Sequence, residues 1–349
     1  MRILYLCPDN PRPSGGVRVI YQHVDILVRN GYDAAVLHER VGFRAAWFPN
    51  TVPILSWTNR RYRPRSKGRL DLLRRGGRAT PEEPYLFLRA PRSLPLAADD
   101  LLVVPEILAH RARDVVPAGS NFVLLNQHGY VVFRRPGVTP SAARAAYRDP
   151  GVLGVLVTSR DGYEVLAHTF PGLSLHVVRY AIDTSVFRYV ASKRLQIGYM
   201  PRRGADDARH VLGVLEVRGA LDGVTVVPID RLDEAATAQV LGDSLLFMAV
   251  SYQEGFGLPP AEAMACGSIV VGYHAFGGKE FFRPELTFPI PTGDVSALVR
   301  TIEDVLRQAK EDPGPLRDRG RAAAEFIARE YAPERQEEDL LAAWRRLLA

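Results

Sequence analysis

Cysteine is almost missing from this chain. Only Cys7 and Cys266 occur in 349 residues, far apart in sequence, so no disulfide framework is available and the usage suits a reducing cytoplasm. Long hydrophobic runs are missing too, and none approaches the roughly 18–20 residues that a membrane-spanning helix needs. The opening Met1-Arg2-Ile3-Leu4-Tyr5-Leu6-Cys7-Pro8 is too short and too soon broken for a secretory signal, and it reads as a buried first strand. No Cys/His cluster has metal-binding spacing, so no metal is implied. No G-x-G-x-x-G follows the first strand, which counts against a dinucleotide-dependent oxidoreductase. Low-complexity tracts and short-period repeats are absent as well.

What is there is the material of a soluble globular enzyme, 47% hydrophobic and 24% charged residues, long enough for two domains rather than one core. Apolar strands alternate with helical patterns, as in parallel sheets covered by helices. In the first half the expected strands are 2–7, 32–38, 101–104, 122–125 and 152–158. A helix carrying Val17, Ile20, Tyr21, Val24 and Leu27 on one face follows the first strand, and Asn30-Gly31 ends it. Residues 41–98 are irregular and rich in Pro and Arg, with a short helix expected near Leu70–Leu73. A second alternating unit has strands at 195–199, 224–228, 245–249 and 269–273, and helices at 208–219, 233–241 and 295–308. An amphipathic helix over 333–348 closes the chain, and the domain boundary is expected near 183–190.

The densest chemical signal is Ser251-Tyr-Gln-Glu-Gly-Phe-Gly-Leu-Pro-Pro-Ala-Glu-Ala-Met-Ala-Cys-Gly267. Gly255 and Gly257 allow close backbone approach and positive φ. Pro259 and Pro260 suit the first turn of a helix, and Gly267 suits its left-handed cap. A helix N-terminus facing a loop of N–H groups is a natural seat for phosphate. Glu262 follows within the helix and can accept hydrogen bonds from hydroxyls. Phosphate plus hydroxyls describes a nucleotide sugar.

Glu254 through Gly267, EGFGLPPAEAMACG, resembles almost letter for letter the E-x7-E signature of retaining glycosyltransferases of GT-B architecture (glycosyltransferase family four). The resemblance implies an α/β fold of two Rossmann-like, doubly wound parallel-sheet domains facing across a cleft. An acceptor-side domain over 1–185 and a donor domain over 186–332 are expected, with the helix over 333–349 crossing back onto the first. It implies transfer of a sugar from a UDP-, GDP- or dTDP-sugar to a hydroxyl acceptor of unknown kind, with retention at the anomeric carbon. Glu262 would then bind the ribose, Glu254 would lie beside the transferred sugar, and Gly255, Phe256, Gly257 and Leu258 would meet sugar and diphosphate through their backbone.

Further residues take expected places through the same resemblance. Arg202 or Arg203, after the first strand of the second domain, would steady the leaving diphosphate, with Arg203 standing where the family more often has Lys; a solvated Arg pair is the plainer reading. Gly15 and Gly16 look like the family's N-terminal glycine loop, although a strand-to-helix turn needs glycine anyway. His128 would touch the donor sugar, unless Asn126 or Gln127 does so instead. Gly277 and Gly278 could offer amides to hydroxyls or phosphate, or form a plain turn. Asp230 would lie near the base or cap a turn. Tyr180-Ala181 replaces the family's usual Asn-Gly at the interdomain passage. No paired-Asp motif of the other glycosyltransferase fold is present, so no cofactor or metal is expected.

Charge is unevenly placed. Residues 60–78 hold nine Lys or Arg against Asp71 alone, a local excess larger than the whole chain's net +6. The segment reads as a solvated loop, as contact with anionic membrane lipid, or as a seat for a phosphorylated acceptor. Nucleic acid is not expected, because no binding motif accompanies it. A cytoplasmic protein, peripheral on the inner membrane face, fits these features. The competing functions are a nucleotide-sugar epimerase on the same architecture and a catalytically silent nucleotide-sugar-binding protein.

Overall fold

The computed structural model describes residues 1–57, 96, 97, 99–134 and 138–349. The basic segment 60–78 and the short helix expected near Leu70–Leu73 lie outside the described residues. By its contacts the chain groups into two units, the first comprising Met1–Leu125 and Gly137–Gly154, the second Asn126–Pro136 and Val155–Ala349.

The first sheet contains β1 (Ile3–Leu6), β2 (Ala34–His38), β3 (Ile54–Ser56), β4 (Leu101–Pro105), β5 (Phe122–Asn126), β6 (Val152–Val157) and β7 (Leu175–Val177), in the order β3-β2-β1-β4-β5-β6-β7. β1 pairs in parallel with β2 and with β4, and all four of its residues are buried. Burial on both faces explains why these strands read as unbroken apolar runs. Helix α1 (Gly15–Arg29) buries Val17, Ile20, Tyr21, Val24 and Leu27, the stripe its 3.6-residue period predicts. It ends as Asn30-Gly31 suggests: Gly31 has φ +82°, and the N–H groups of Gly31 and Tyr32 reach back to Val28 and Leu27. Short helices α2 (Ala112–Val115), α3 (Val131–Arg134) and α4 (Pro140–Tyr147), with a 3-10 turn at Glu106–Arg111, complete the first half before α5 (Arg160–Thr169). Strand β3 falls inside the stretch expected to be irregular.

The second sheet contains β8 (Arg194–Tyr199), β9 (Thr225–Pro228), β10 (Ser244–Ala249), β11 (Ile269–Gly272) and β12 (Phe288–Pro289), ordered β12-β11-β10-β8-β9 with every pairing parallel. Helices α6 (Ala205–Val217), α7 (Glu234–Asp243), α8 (Leu258–Ala265) and α9 (Val295–Glu311) alternate with these strands. Ile197, Leu246, Met248, Ile269 and Val271 alternate along their strands to form one apolar face. That face packs with Val211 and Leu215 of α6 and with Leu298, Ile302 and Val305 of α9.

Two helices follow. α10 (Gly314–Glu330) is a long element that sequence reading did not place, because Pro313-Gly314-Pro315 looks like a break and its buried face is partly alanine and glycine. Pro315 sits in its first turn, and Gly320 lets the helix approach Gly267 at the end of α8: a Cβ on Gly320 would lie 2.4 Å from the Gly267 carbonyl oxygen. α11 (Pro333–Leu347) packs against β7, where Arg179 meets Asp339 at 2.7 Å.

Strand order places the functional loops. In the second sheet the chain steps from β8 outward to β9, then returns to the other side of β8 with β10. Loops leaving the carboxyl ends of β8 and β10 therefore part in opposite directions and leave a crevice between them. Arg203 follows β8 and Glu254 follows β10.

Candidate active site

The loop after β10 is shaped by its glycines. Gly257 has φ +99° and precedes Leu258, with Pro259 and Pro260 in the first turn of α8. At the far end Gly267 has φ +83°, and the N–H groups of Gly267 and Ser268 return to Met264 and Ala263, the capping expected there. Gly255 is required for a different reason: a Cβ would lie 1.8 Å from the carbonyl oxygen of Gln127 and 3.0 Å from the Cα of His128. Close approach therefore brings the Gln127-His128 backbone against the motif. The four N–H groups from Gly255 to Leu258 donate to no protein oxygen among the described residues. Four adjacent unpaired donors at a helix start carry positive potential.

Glu254 is held from four sides. Its backbone N–H donates to Ala275 O at 2.9 Å, and its carbonyl accepts from Gly277 N–H at 3.3 Å. Ser251 Oγ donates to Oε1 at 2.8 Å, and Arg203 Nη1 donates to Oε2. Arg203 also reaches Gln253 O at 3.3 Å, so several of its donors remain. Gly204, at φ +87°, directs the Arg203 turn, and its hydrogen-only α-carbon packs on Val250, where a Cβ would lie 1.9 Å from the carbonyl oxygen. Of the two arginines left open by sequence, Arg203 is the one placed at Glu254. Arg202 is exposed.

The turn after β11 braces the backbone of the same residue. Phe276 adopts φ +67° and ψ −64°, and Gly277 N–H bonds to Ala275 O at 3.0 Å, which makes a γ-turn of the rare positive-φ kind. Ala275 precedes it at φ +50°. Two non-glycine residues in strained backbone cost about 1–3 kcal/mol each, and such strain persists only where surrounding contacts enforce it. The enforcing contact is the bridge between Phe276 and Glu254. Gly277 is packed so tightly that a Cβ would lie 2.3 Å from the Gly255 carbonyl oxygen. Its N–H and that of Gly278 go to Glu254, Ala275 and His274 carbonyls. The amides expected there for a ligand are already engaged, and the glycines serve close packing.

The remaining sequence-selected residues separate clearly. Glu262 is buried on α8. Phe256 is a core aromatic, its ring 5.1 Å from those of Tyr180, Phe281 and Tyr331. Tyr180 thus supports the motif, and its hydroxyl donates to Gln127 Oε1 at 3.0 Å. Asn126 is buried, while Gln127, engaged by Tyr180, and His128 are both half-buried. His128 Nδ1 lies 3.4 Å from the Tyr130 N–H. Asp230 is exposed at the end of β9, paired only with its neighbour Arg231 among the described residues. Gly15 and Gly16 open α1 in the first unit, after β1, the strand beside which that sheet's order also reverses.

Sequence reasoning missed several supports. Lys279 pairs with Asp161 at 2.9 Å, and Glu280 accepts from the Arg160 N–H and the Tyr331 hydroxyl, both at 3.1 Å. Burial lifts the Glu280 carboxyl above its ordinary range, against the pull of those two bonds. Lys193 donates to carbonyls at the ends of α7 and α8, at 2.8 Å to Gly242 and 2.7 Å to Cys266, and burial lowers it to about 8. No helix among the described residues is long and apolar enough to cross a membrane.

Comparison with known proteins bears on the fold and on part of the second unit. Residues 223–324 match the family model described as glycosyl transferases group 1. No curated protein sequence matches the chain. Among solved structures, sucrose-phosphate synthase from Thermosynechococcus elongatus superposes with TM-score 0.68 at 15% identity, covering 99% of each chain. Anabaena HepE in complex with UDP gives TM-score 0.66 at 14% identity over 99% of this chain and 100% of its own. The lipopolysaccharide outer core galactosyltransferase WaaB gives 0.62 at 13%, covering 99% of each. The chain has the two-sheet α/β architecture of the GT-B glycosyltransferases, and its glycosyl transferases group 1 match spans the loop of Glu254 and the helix of Glu262.

Proposed function

We propose that this chain is a retaining, metal-independent glycosyltransferase that moves a sugar from a nucleoside-diphosphate sugar to a hydroxyl acceptor. One observation carries the reading: the four open N–H groups of Gly255–Leu258 stand beside the Glu254–Arg203 pair, at the sheet's switch point. Open amides and a guanidinium suit a diphosphate, whose charge grows as it leaves the anomeric carbon. Glu262 on the following helix is the ribose partner in this reading.

The reaction breaks the bond from the anomeric carbon to the diphosphate oxygen and forms one to the acceptor oxygen on the same face. The acceptor's proton passes to the departing phosphate. Glu254, steadied by Ser251 and Arg203, orients the sugar and favours its positive transition state without a covalent intermediate. His128 is assigned to the sugar. Group 1 similarity over 223–324 and the fold shared with HepE, whose structures hold UDP or UDP-glucose, support trying uridine donors first.

The test is a thermal-shift screen with UDP, GDP, ADP and dTDP, followed by the matching sugars and a mass assay for transfer. One nucleotide should raise Tm. Glu254→Gln should lower kcat by about 100-fold or more while nucleotide affinity stays within a few-fold. Glu262→Ala should chiefly weaken nucleotide binding in calorimetry. An unchanged rate in Glu254→Gln, or epimerised donor of intact mass without transfer, overturns the assignment.

A further inference from the structure

Three loops converge on Glu254, and one side chain with no part in the chemistry above ties all three. Asp207 lies in the first turn of α6, just after the Arg203-Gly204 turn, and is 8% exposed. Its Oδ2 accepts from the Tyr252 hydroxyl at 2.8 Å and from the Tyr273 hydroxyl at 2.7 Å. Tyr252 lies between Ser251 and Gln253 in the loop leading to Glu254. Tyr273 directly follows β11 and leads into the γ-turn that grips the Glu254 backbone. The two rings meet edge to face at 5.7 Å.

The bonding pattern separates this carboxylate from an ordinary buried ion. No Lys, Arg or His pairs with it among the described residues. Its compensation is the partial positive charge of the α6 N-terminus and the two phenols. The Tyr252 hydroxyl is held protonated chiefly by its bond to Asp207, and that of Tyr273 by burial and then the same bond. Both partners are therefore donors aimed at one oxygen, from residues 45 and 66 positions away.

We infer that Asp207 is a positioning residue, which fixes the loops of Arg203, Glu254 and Phe276 in register so that the carboxylate stands correctly beside the open amides. Its effect on turnover rests on the proposed function; its effect on the loops does not. A displacement near 1 Å at a reacting group costs up to about 100-fold in rate.

The experiment compares wild type with Asp207→Ala, Asp207→Asn and the double variant Tyr252→Phe/Tyr273→Phe. It reads Tm, amide hydrogen exchange over 251–257 and 273–278, and kcat and KM for the donor sugar. Asp207→Ala should speed exchange in both loops together and lower kcat about 10- to 100-fold, with donor KM moving less than threefold. Asp207→Asn, which keeps an acceptor oxygen, should restore most of both. The double variant should match Asp207→Ala and carries the test if that variant fails to fold. Lower Tm with both loops and kcat unchanged overturns the inference. If wild type turns over no donor, the functional reading falls, and the exchange data still decide whether Asp207 holds the loops.

Discussion

Each sheet has a buried or nearly buried aspartate beside the strand where its order reverses, and the two grip their surroundings differently. In the first unit Asp9, three residues past β1, accepts from His38 Nδ1 at 3.0 Å and from the N–H groups of Glu39 and Arg40 at 3.1 Å. His38 Nε2 then meets the Tyr21 hydroxyl at 2.8 Å, and Tyr21 accepts from the Ala45 N–H at 3.0 Å. Donation to Asp9 fixes the histidine tautomer, so Tyr21 must donate to Nε2 and accept from Ala45. This network holds backbone directly, from residue 39 to residue 45. Asp207 takes no backbone N–H among the described residues and reaches its loops through the tips of two tyrosines. The consequence is chemical: the first arrangement satisfies backbone donors, while the second leaves those of Gly255–Leu258 available to a ligand.

The sharpest way to break this contrast is to force the open amides out of place. Gly255→Ala puts a Cβ 1.8 Å from the Gln127 oxygen and 2.9 Å from its carbonyl carbon, both backbone atoms that cannot rotate away. We expect loss of turnover beyond about 100-fold and destabilisation of about 1–3 kcal/mol or more. Gly213→Ala, inside α6 with no atom within 4 Å of the new Cβ, is the control. It should gain about 0.5–1 kcal/mol and keep full activity. Wild-type kcat in Gly255→Ala would show that close packing on Gln127 is not what shapes the loop.

A smaller effect tests the first network. Tyr21→Phe removes the hydroxyl between His38 and Ala45 and leaves two buried polar groups unmatched. Chemical denaturation should show a loss of about 1–3 kcal/mol. Nucleotide affinity, measured by calorimetry, should not change, since the proposed diphosphate contacts all lie in the second unit. An equal loss of affinity would mean that the two networks do not act separately.

The same contrast explains what could be read from sequence. Buried parallel strands such as Ile3–Leu6 and Ser244–Ala249 announce themselves as short apolar runs, and Pro259, Pro260 and Gly267 mark the ends of α8 because their backbone demands are local. Strand β3 was hidden by having three residues in a Pro- and Arg-rich stretch. Helix α10 was hidden because its close packing uses Gly320, which local propensity penalises. Arg203 was legible as one of a pair, but its choice over Arg202 depends on Gly204 resting against Val250, 46 residues later. Asp207 could not be found from local pattern, since its meaning lies in two distant phenols. Gly277 and Gly278 show the converse: a glycine pair reads equally as amide donors or as a plain turn, and here the missing side chains matter and the amides are engaged.

The smallest effect concerns a second histidine of the first unit, which lacks what His38 has. His23 is wholly buried on α1, its ring edge-on to Tyr5 at 5.7 Å, and neither ring nitrogen has a hydrogen-bond partner among the described residues. Burial lowers it to about 3. In the unfolded chain a histidine takes its proton near 6.5. Between those values the unfolded state binds more protons, so stability must fall as pH falls, by up to about 1.4 kcal/mol per pH unit. His23→Leu removes both the unmatched nitrogens and the titration. At pH 7.5 it should be more stable than wild type by about 1 kcal/mol, and urea denaturation at pH 6.0 and 5.0 should show the gap widening. A constant gap for His23→Leu would mean that the folded protein admits a proton at His23 after all, and the difference drawn between the two histidines would fail.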